Sequence, residues 1–196
     1  MTKICLPLEQ LVSSMPYEQI DDLLAHGIAE KVDDTPRIPR LLFLDVDGVL
    51  NNSRHRNPYK GCMDEKLFLG SFDPKCLGFL LNVLDDVPDT KIVISSTWRK
   101  DPLLMKVLHT KLGRYSRNVI GSTESFNHGF RGLEIEHFLY TYFRDQEITM
   151  CILDDDGDFF PHQKQFHIQT DPEYGVTKTI AYRVLQRLLN SKRTIS

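Results

Sequence analysis

Several features that mark whole protein classes are scarce in this chain of 196 residues. It has four cysteines, at positions 5, 62, 76 and 151, and no two of them form a CxxC pair. A zinc knuckle or a dithiol redox centre is therefore not expected, and the cysteines are read as reduced thiols. No apolar run reaches the roughly 18 residues that a membrane-spanning helix needs. The first residues, MTKICLPLEQLV, have neither the long apolar stretch nor the small-residue cleavage site of a secretory signal. Internal repeats and low-complexity tracts are missing as well. There is no excess of basic residues: 24 Lys and Arg against 27 Asp and Glu give a net charge of -3. That balance excludes the whole-chain basic footprint of a generic DNA binder and leaves room for a local basic face. The expectation is a soluble, cytoplasmic protein with no membrane association, and its length suits one domain with a short appendage.

The pattern along the chain divides it at about residue 40. Residues 1–40 read as a helical extension and linker, with helical spacing in two pieces over 4–32 and a polar segment with two prolines before Leu41. Residues 41–196 read as the main domain. LLFLDV at 41–46 is a continuous apolar run ending in acids and glycine, the pattern of a buried central strand. Residues 51–72 show little periodicity and read as a loop or flap. Asp73-Pro74 and Asp101-Pro102 each open a helix, with Asp as the cap and Pro at the first helical position. KIVIS at 91–95 and TMCILD at 149–154 are further apolar strands, with NVIG at 118–121 and FHIQT at 166–170 as shorter candidates. Helices are expected over 131–145 and from Thr177 to about Leu189. Strands alternating with helices predict an α/β fold, a doubly wound parallel sheet.

Three of these strands end in chemically capable residues: Asp45 to Asp47, Ser95 to Thr97, and Asp154 to Asp158. A parallel sheet gathers strand ends of this kind at one edge, where ligands bind. Asp45 and Asp47 are two apart, and Gly48 permits a sharp turn after them. Acids crowded at one point repel each other, and a hard cation with oxygen ligands relieves the repulsion. Mg²⁺ is the natural candidate, because it binds through one or two carboxylates, waters and substrate phosphate. A lone DxD is commonly a solvated acidic turn. Two acidic clusters that each end an apolar strand favour a site.

The run LLFLDVDGVLN resembles the first motif of the haloacid dehalogenase (HAD) superfamily. KIVISS resembles its second motif, RGLEI at 131–135 its third, and CILDDDGD its fourth. All four occur in order and frame residues 41–158. The combination DVDGVLN, SSTWR, RG and LDDD is similar to the HAD domain associated with RNA repair proteins. The resemblance implies a Mg²⁺-dependent phosphohydrolase in which Asp45 attacks phosphorus and Asp47 acts first as acid and then as base. It implies a metal held by Asp45, by the Asp47 carbonyl and by Asp154 or Asp155. It implies phosphate contacts from Ser95 or Ser96 and from Arg131, which stands where the family usually has Lys. Lys106 and Lys111 are competitors for that place, and Asp158 is a supporting acid.

Beyond the motifs, Arg99 is a candidate contact to a second phosphate or a nucleic-acid backbone, with Trp98 beside it packed as core. Arg54 and Arg56, with His55 and Lys60, form a basic cluster in the flap that could touch substrate or simply be solvated. Asn51 reads as a loop cap. The stretches between motifs are too short for a folded cap domain, so the domain is expected to be capless. The resemblance implies that capless members often act on large substrates that cover the site themselves. A phosphorylated small molecule such as a nucleotide, a nucleic-acid end and a phosphoprotein all remain open as substrates. The oligomeric state is open too. The alternative class is a phosphate- or nucleic-acid-binding module that keeps the fold without turnover.

Overall fold

The computed structural model describes residues 38–58, 65–126 and 129–195. The helical pieces expected within 4–32 lie outside the described residues, as do Cys5, Lys60 and Cys62. Cys76 and Cys151 are buried free thiols.

The sheet grows from β1, Arg40–Leu44, in which Leu41 to Leu44 are wholly removed from water. β2 (Lys91–Ile94) lies on one side of it and β4 (Glu147–Asp154) on the other, both parallel, with Leu42 level with Ile92 and with Cys151. β3 (Val119–Ser122) extends the β2 side and β5 (His167–Gln169) the β4 side. The five parallel strands therefore run in the order β3-β2-β1-β4-β5. A short strand that the sequence did not announce, β6 (Lys192–Thr194), pairs antiparallel with the start of β4.

Period-two alternation distributes the strand side chains between two cores. Leu42, Leu44, Ile92, Ile94, Cys151 and Leu153 join one cluster, packed with helices α2 (Pro74–Asp86), α3 (Pro102–Leu112) and α5 (Lys178–Asn190). Leu41, Phe43, Val93, Met150 and Ile152 join the other, with Ile135, Phe138 and Leu139 of α4 (Arg131–Phe143). Helices on both faces explain why β1 is apolar at every position from Leu41 to Leu44. Each such buried aliphatic side chain contributes roughly 1.5–3 kcal/mol.

The helix starts follow local chemistry. Asp73 accepts from Lys75 N, and Asp101 from Leu103 N and Leu104 N, each ahead of a proline in the first turn. Thr177 accepts from Ile180 N and opens α5. The expected loop over 51–72 needs one correction. It carries a five-residue helix, α1 (Glu65–Leu69), too short to show a periodic signature. Among the described residues no second folded domain interrupts the strand and helix alternation.

Candidate active site

The chain leaves β1 toward β2 and β3 on one side and later returns to lay β4 and β5 on the other. β1 and β4 thus flank the topological switch point, where sheets of this kind bind ligands. Backbone pairing continues past the strands on that edge. Asp45 N donates to Leu153 O, Ser95 N to Leu44 O, and Thr170 N to Asp154 O, each at 3.0 Å. These bonds fix Asp45, Ser95 and Asp154 side by side.

Asp45 is 4% exposed and Asp154 not at all. One Arg131 nitrogen, Nη1, bridges them, at 2.9 Å from Asp45 Oδ1 and 2.7 Å from Asp154 Oδ2. Arg131 is held in turn from the β4 side. Its backbone N–H donates to Asp158 Oδ2 at 3.0 Å, and Gly132 N donates to Asp158 O. A Cβ on Gly132 would lie 2.6 Å from Gln163 Oε1 and 3.0 Å from Phe160 N, so glycine eases the close approach of the loop after β4 to the start of α4. Of the competing cations, Lys106 pairs with Glu65 and Lys111 lies over the Phe72 ring.

Oxygens of Asp45, Asp154 and Asp155 lie within 4.8 Å of one another. Burial raises the Asp45 carboxyl above the usual range, against the pull of Arg131. Burial and the Asp45 charge push Asp154 up to about 8. Burial, Asp45 and Asp156 raise Asp155. One guanidinium does not neutralise three carboxylates, so the cluster is short of positive charge. An all-oxygen donor set with a charge deficit fits a hard divalent cation.

Gly48 makes room for this arrangement. Its φ is +69°, and a Cβ there would lie 2.4 Å from Asp155 Oδ2. The Gly48 carbonyl accepts from Thr170 Oγ1 at 2.9 Å, tying the turn after β1 to the end of β5.

Asp47 points its oxygens at two donors that sequence reasoning did not connect with it. Asn51 Nδ2 donates to Oδ1 at 2.7 Å, and Trp98 Nε1 donates to Oδ2 at 3.0 Å. Trp98 is buried against Phe72, with ring centroids 5.3 Å apart, so its role as core and its reach to Asp47 coexist. Asn51 caps the loop as expected, accepting from Gly48 N.

Ser95 and Ser96 are both fully buried. The Ser95 hydroxyl has no partner among the described residues. Ser96 accepts from Trp98 N, capping the 3-10 turn Thr97–Lys100, and its side chain favours the charged form of the Asp45 carboxyl. Arg99 is held by internal partners. Its side chain is only 6% exposed and pairs with Glu134 at 2.7 Å. Its Nη1 donates to the carbonyls of Ser95 and Ser96. It braces the strand end from inside. Arg54 is exposed, pairs with Glu173 at 2.7 Å and stacks over Tyr174. Arg56 is exposed and makes no ion pair among the described residues. No contact joins either arginine to the Asp45 cluster.

A five-stranded parallel sheet in the order 3-2-1-4-5, with an acidic cluster at its switch point and DxDG after β1, defines a HAD-like Rossmannoid domain. A family model for the HAD domain in Swiss Army Knife RNA repair proteins matches residues 41–181, and the chain belongs to that family. Comparison with curated proteins gave no match. No helix among the described residues is long and apolar enough to cross a membrane.

Proposed function

We propose that this protein is a Mg²⁺-dependent phosphomonoesterase that removes a terminal phosphate from RNA, with its catalytic machinery in a domain spanning residues 41–196. The observation that carries the reading is the convergence of Asp45, Asp154 and Asp155, with Arg131 bridging the first two. The RNA end comes from the family's association with RNA repair.

In this reading an Asp45 oxygen attacks phosphorus while the bond to the leaving oxygen breaks. Asp47 gives that oxygen its proton, and an aspartyl-phosphate forms on Asp45. Asp47, now a carboxylate, takes a proton from water, and the resulting hydroxide attacks phosphorus. Inorganic phosphate leaves and Asp45 is restored. Trp98 and Asn51 hold Asp47 in place between these two steps. The Ser95 hydroxyl, buried and without a partner, supplies a donor for a phosphoryl oxygen. Arg131 balances charge on the transferring group. Asp45, Asp154, Asp155 and the Asp47 carbonyl would hold Mg²⁺, which supplies the positive charge that lets one anion approach another.

Hydrolysis of an aryl phosphate and of a terminally phosphorylated oligoribonucleotide tests the reading, in Mg²⁺ and in excess EDTA, with Asp45→Asn alongside. Turnover is expected only with Mg²⁺ and Asp45 together. Near-wild-type turnover by Asp45→Asn would remove the covalent mechanism. Phosphate or RNA binding without turnover under any condition would leave a binding module in its place.

A further inference from the structure

Beside the acidic cluster, a cleft of about 360 Å³ opens between the turn after β2 and the loop that leads from β3 into α4. Its lining includes Thr97, Lys100, Phe126 and Arg131. Arg131 also contacts Asp45, so the cleft begins one side chain away from the proposed nucleophile.

The cleft is built in advance. Its floor contains the buried Arg99–Glu134 ion pair, with side chains 6% and 4% exposed. Arg99 grips the Ser95 and Ser96 carbonyls, while Glu134 Oε1 accepts from Phe126 N at 3.3 Å. One chain of polar contacts therefore fixes the strand end under the phosphate site and the opposite wall of the cleft together. Burial of this quality costs stability unless both partners stay paired, so the walls have little freedom to drift. Arg99 Nε remains buried without a partner among the described residues.

Lys100 differs from the other cations near the site. It is exposed and forms no ion pair or hydrogen bond with the described residues. Arg131 is tied to two carboxylates, and Arg99 to Glu134. Phe126 is half-buried, packs edge-on against His137 and offers its remaining aromatic surface on the facing wall. An exposed cation facing an aromatic side chain, in a polar cleft near the lower end of ligand-pocket sizes, is the equipment for one nucleotide of a single strand.

We infer that this cleft seats the nucleotide next to the scissile phosphate of a single-stranded RNA end, with Lys100 gripping its phosphodiester and Phe126 meeting its base. The inference rests on the phosphomonoesterase reading for the position of the scissile phosphate. It adds that the enzyme selects a strand over a lone phosphate ester.

The probe is a hexauridylate with one terminal phosphate, at the 5′ end in one arm and the 3′ end in the other. Its binding is measured in EDTA across a salt series for wild type and Lys100→Ala. At least a tenfold loss of affinity is expected for one end isomer or both. The slope of log affinity against log salt should fall by about 0.7, the value for one contact on a single strand. Under turnover conditions in Mg²⁺, Lys100→Ala should lower kcat/KM at least tenfold more for that oligonucleotide than for an aryl phosphate. Equal affinity and equal salt slope in the two proteins would overturn the inference. A phosphopeptide of matched charge that binds as tightly and depends as strongly on Lys100 would also overturn it. Absence of turnover on every substrate would remove the phosphatase reading and leave the binding comparison to decide the cleft.

Discussion

Replacing Gly48 with Ala sets the geometry of the acidic cluster against a single methyl group. The new Cβ would lie 2.4 Å from Asp155 Oδ2, 2.5 Å from its Cγ and 3.0 Å from its Cβ. Ordinary contact begins near 3.4 Å, so the carboxylate must retreat by about 1 Å or the turn must open. The backbone adds its own cost, because φ at this position is +69°. A left-handed conformation costs a residue with a Cβ about 1–2 kcal/mol. In a domain of this size that lowers Tm by about 2–8 °C, too little to unfold the protein. The larger effect falls on the proposed Mg²⁺ site. Asp155 is one of three carboxylates that must converge, and a misplacement of about 1 Å removes an oxygen from a cation that demands near-ideal geometry. A loss of about 10- to 100-fold in Mg²⁺ affinity follows. The assay is a Mg²⁺ titration of thermal stability for wild type, Gly48→Ala and Asp155→Asn. Gly48→Ala should resemble Asp155→Asn in its metal response while remaining folded in EDTA. A Mg²⁺ affinity within twofold of wild type would refute the argument, since it would show that Asp155 does not need the space that Gly48 leaves.

Two further outcomes follow from the same site. The Asp154 carboxyl is pushed up to about 8 in the folded protein. The folded state therefore holds this proton more tightly than the unfolded one, and stability from this group is lost as pH rises from about 4 to about 8. In EDTA, Tm should decline across that window, and the stabilisation that Mg²⁺ provides should be larger at about pH 8.5 than at about pH 5.5, because a cation competes with the proton. An equal Mg²⁺ shift at both pH values would contradict this. Trp98→Phe keeps an aromatic ring against Phe72 but removes the donor to Asp47 Oδ2. With one hydrogen bond to a carboxylate lost, about tenfold slower turnover is expected for an alkyl or ribose phosphate. A nitrophenyl phosphate, whose leaving group needs no proton, should be affected less, and equal slowing of both would remove the positioning role.

How much of this was legible in the sequence depended on distance along the chain. Strand β1 announces itself because both its faces are covered, so Leu41 to Leu44 read as one apolar run. Helices α2, α3 and α5 announce themselves through caps that act over two or three residues. Strand β6 and helix α1 do not, since three polar edge residues and five residues in a loop carry no period. The site divides in the same way. Asp45 and Asp154 stand at the ends of apolar strands and could be found from pattern alone. Arg99 looked like a free surface cation because its partner, Glu134, lies 35 residues away and is buried with it. Trp98 looked like core, which it is, but no local pattern reveals an indole N–H aimed at a carboxylate 51 residues earlier.

Local rules are broken most densely where β1 and β4 separate. Around that point lie carboxyls raised by burial and mutual repulsion, and the Ser95 hydroxyl and Asp158 Oδ1, which have no partner among the described residues. Each costs stability on its own. An orphan hydroxyl alone marks nothing, since the buried hydroxyls of Thr90 and Thr149, before β2 and early in β4, have no partner among the described residues either. What distinguishes the β1–β4 edge is that its defects share one remedy. A divalent cation would relieve the carboxylates, and an anion on that cation would meet Arg131 and the Ser95 hydroxyl. The two cores, one on each face of the sheet, supply the stability that tolerates these costs.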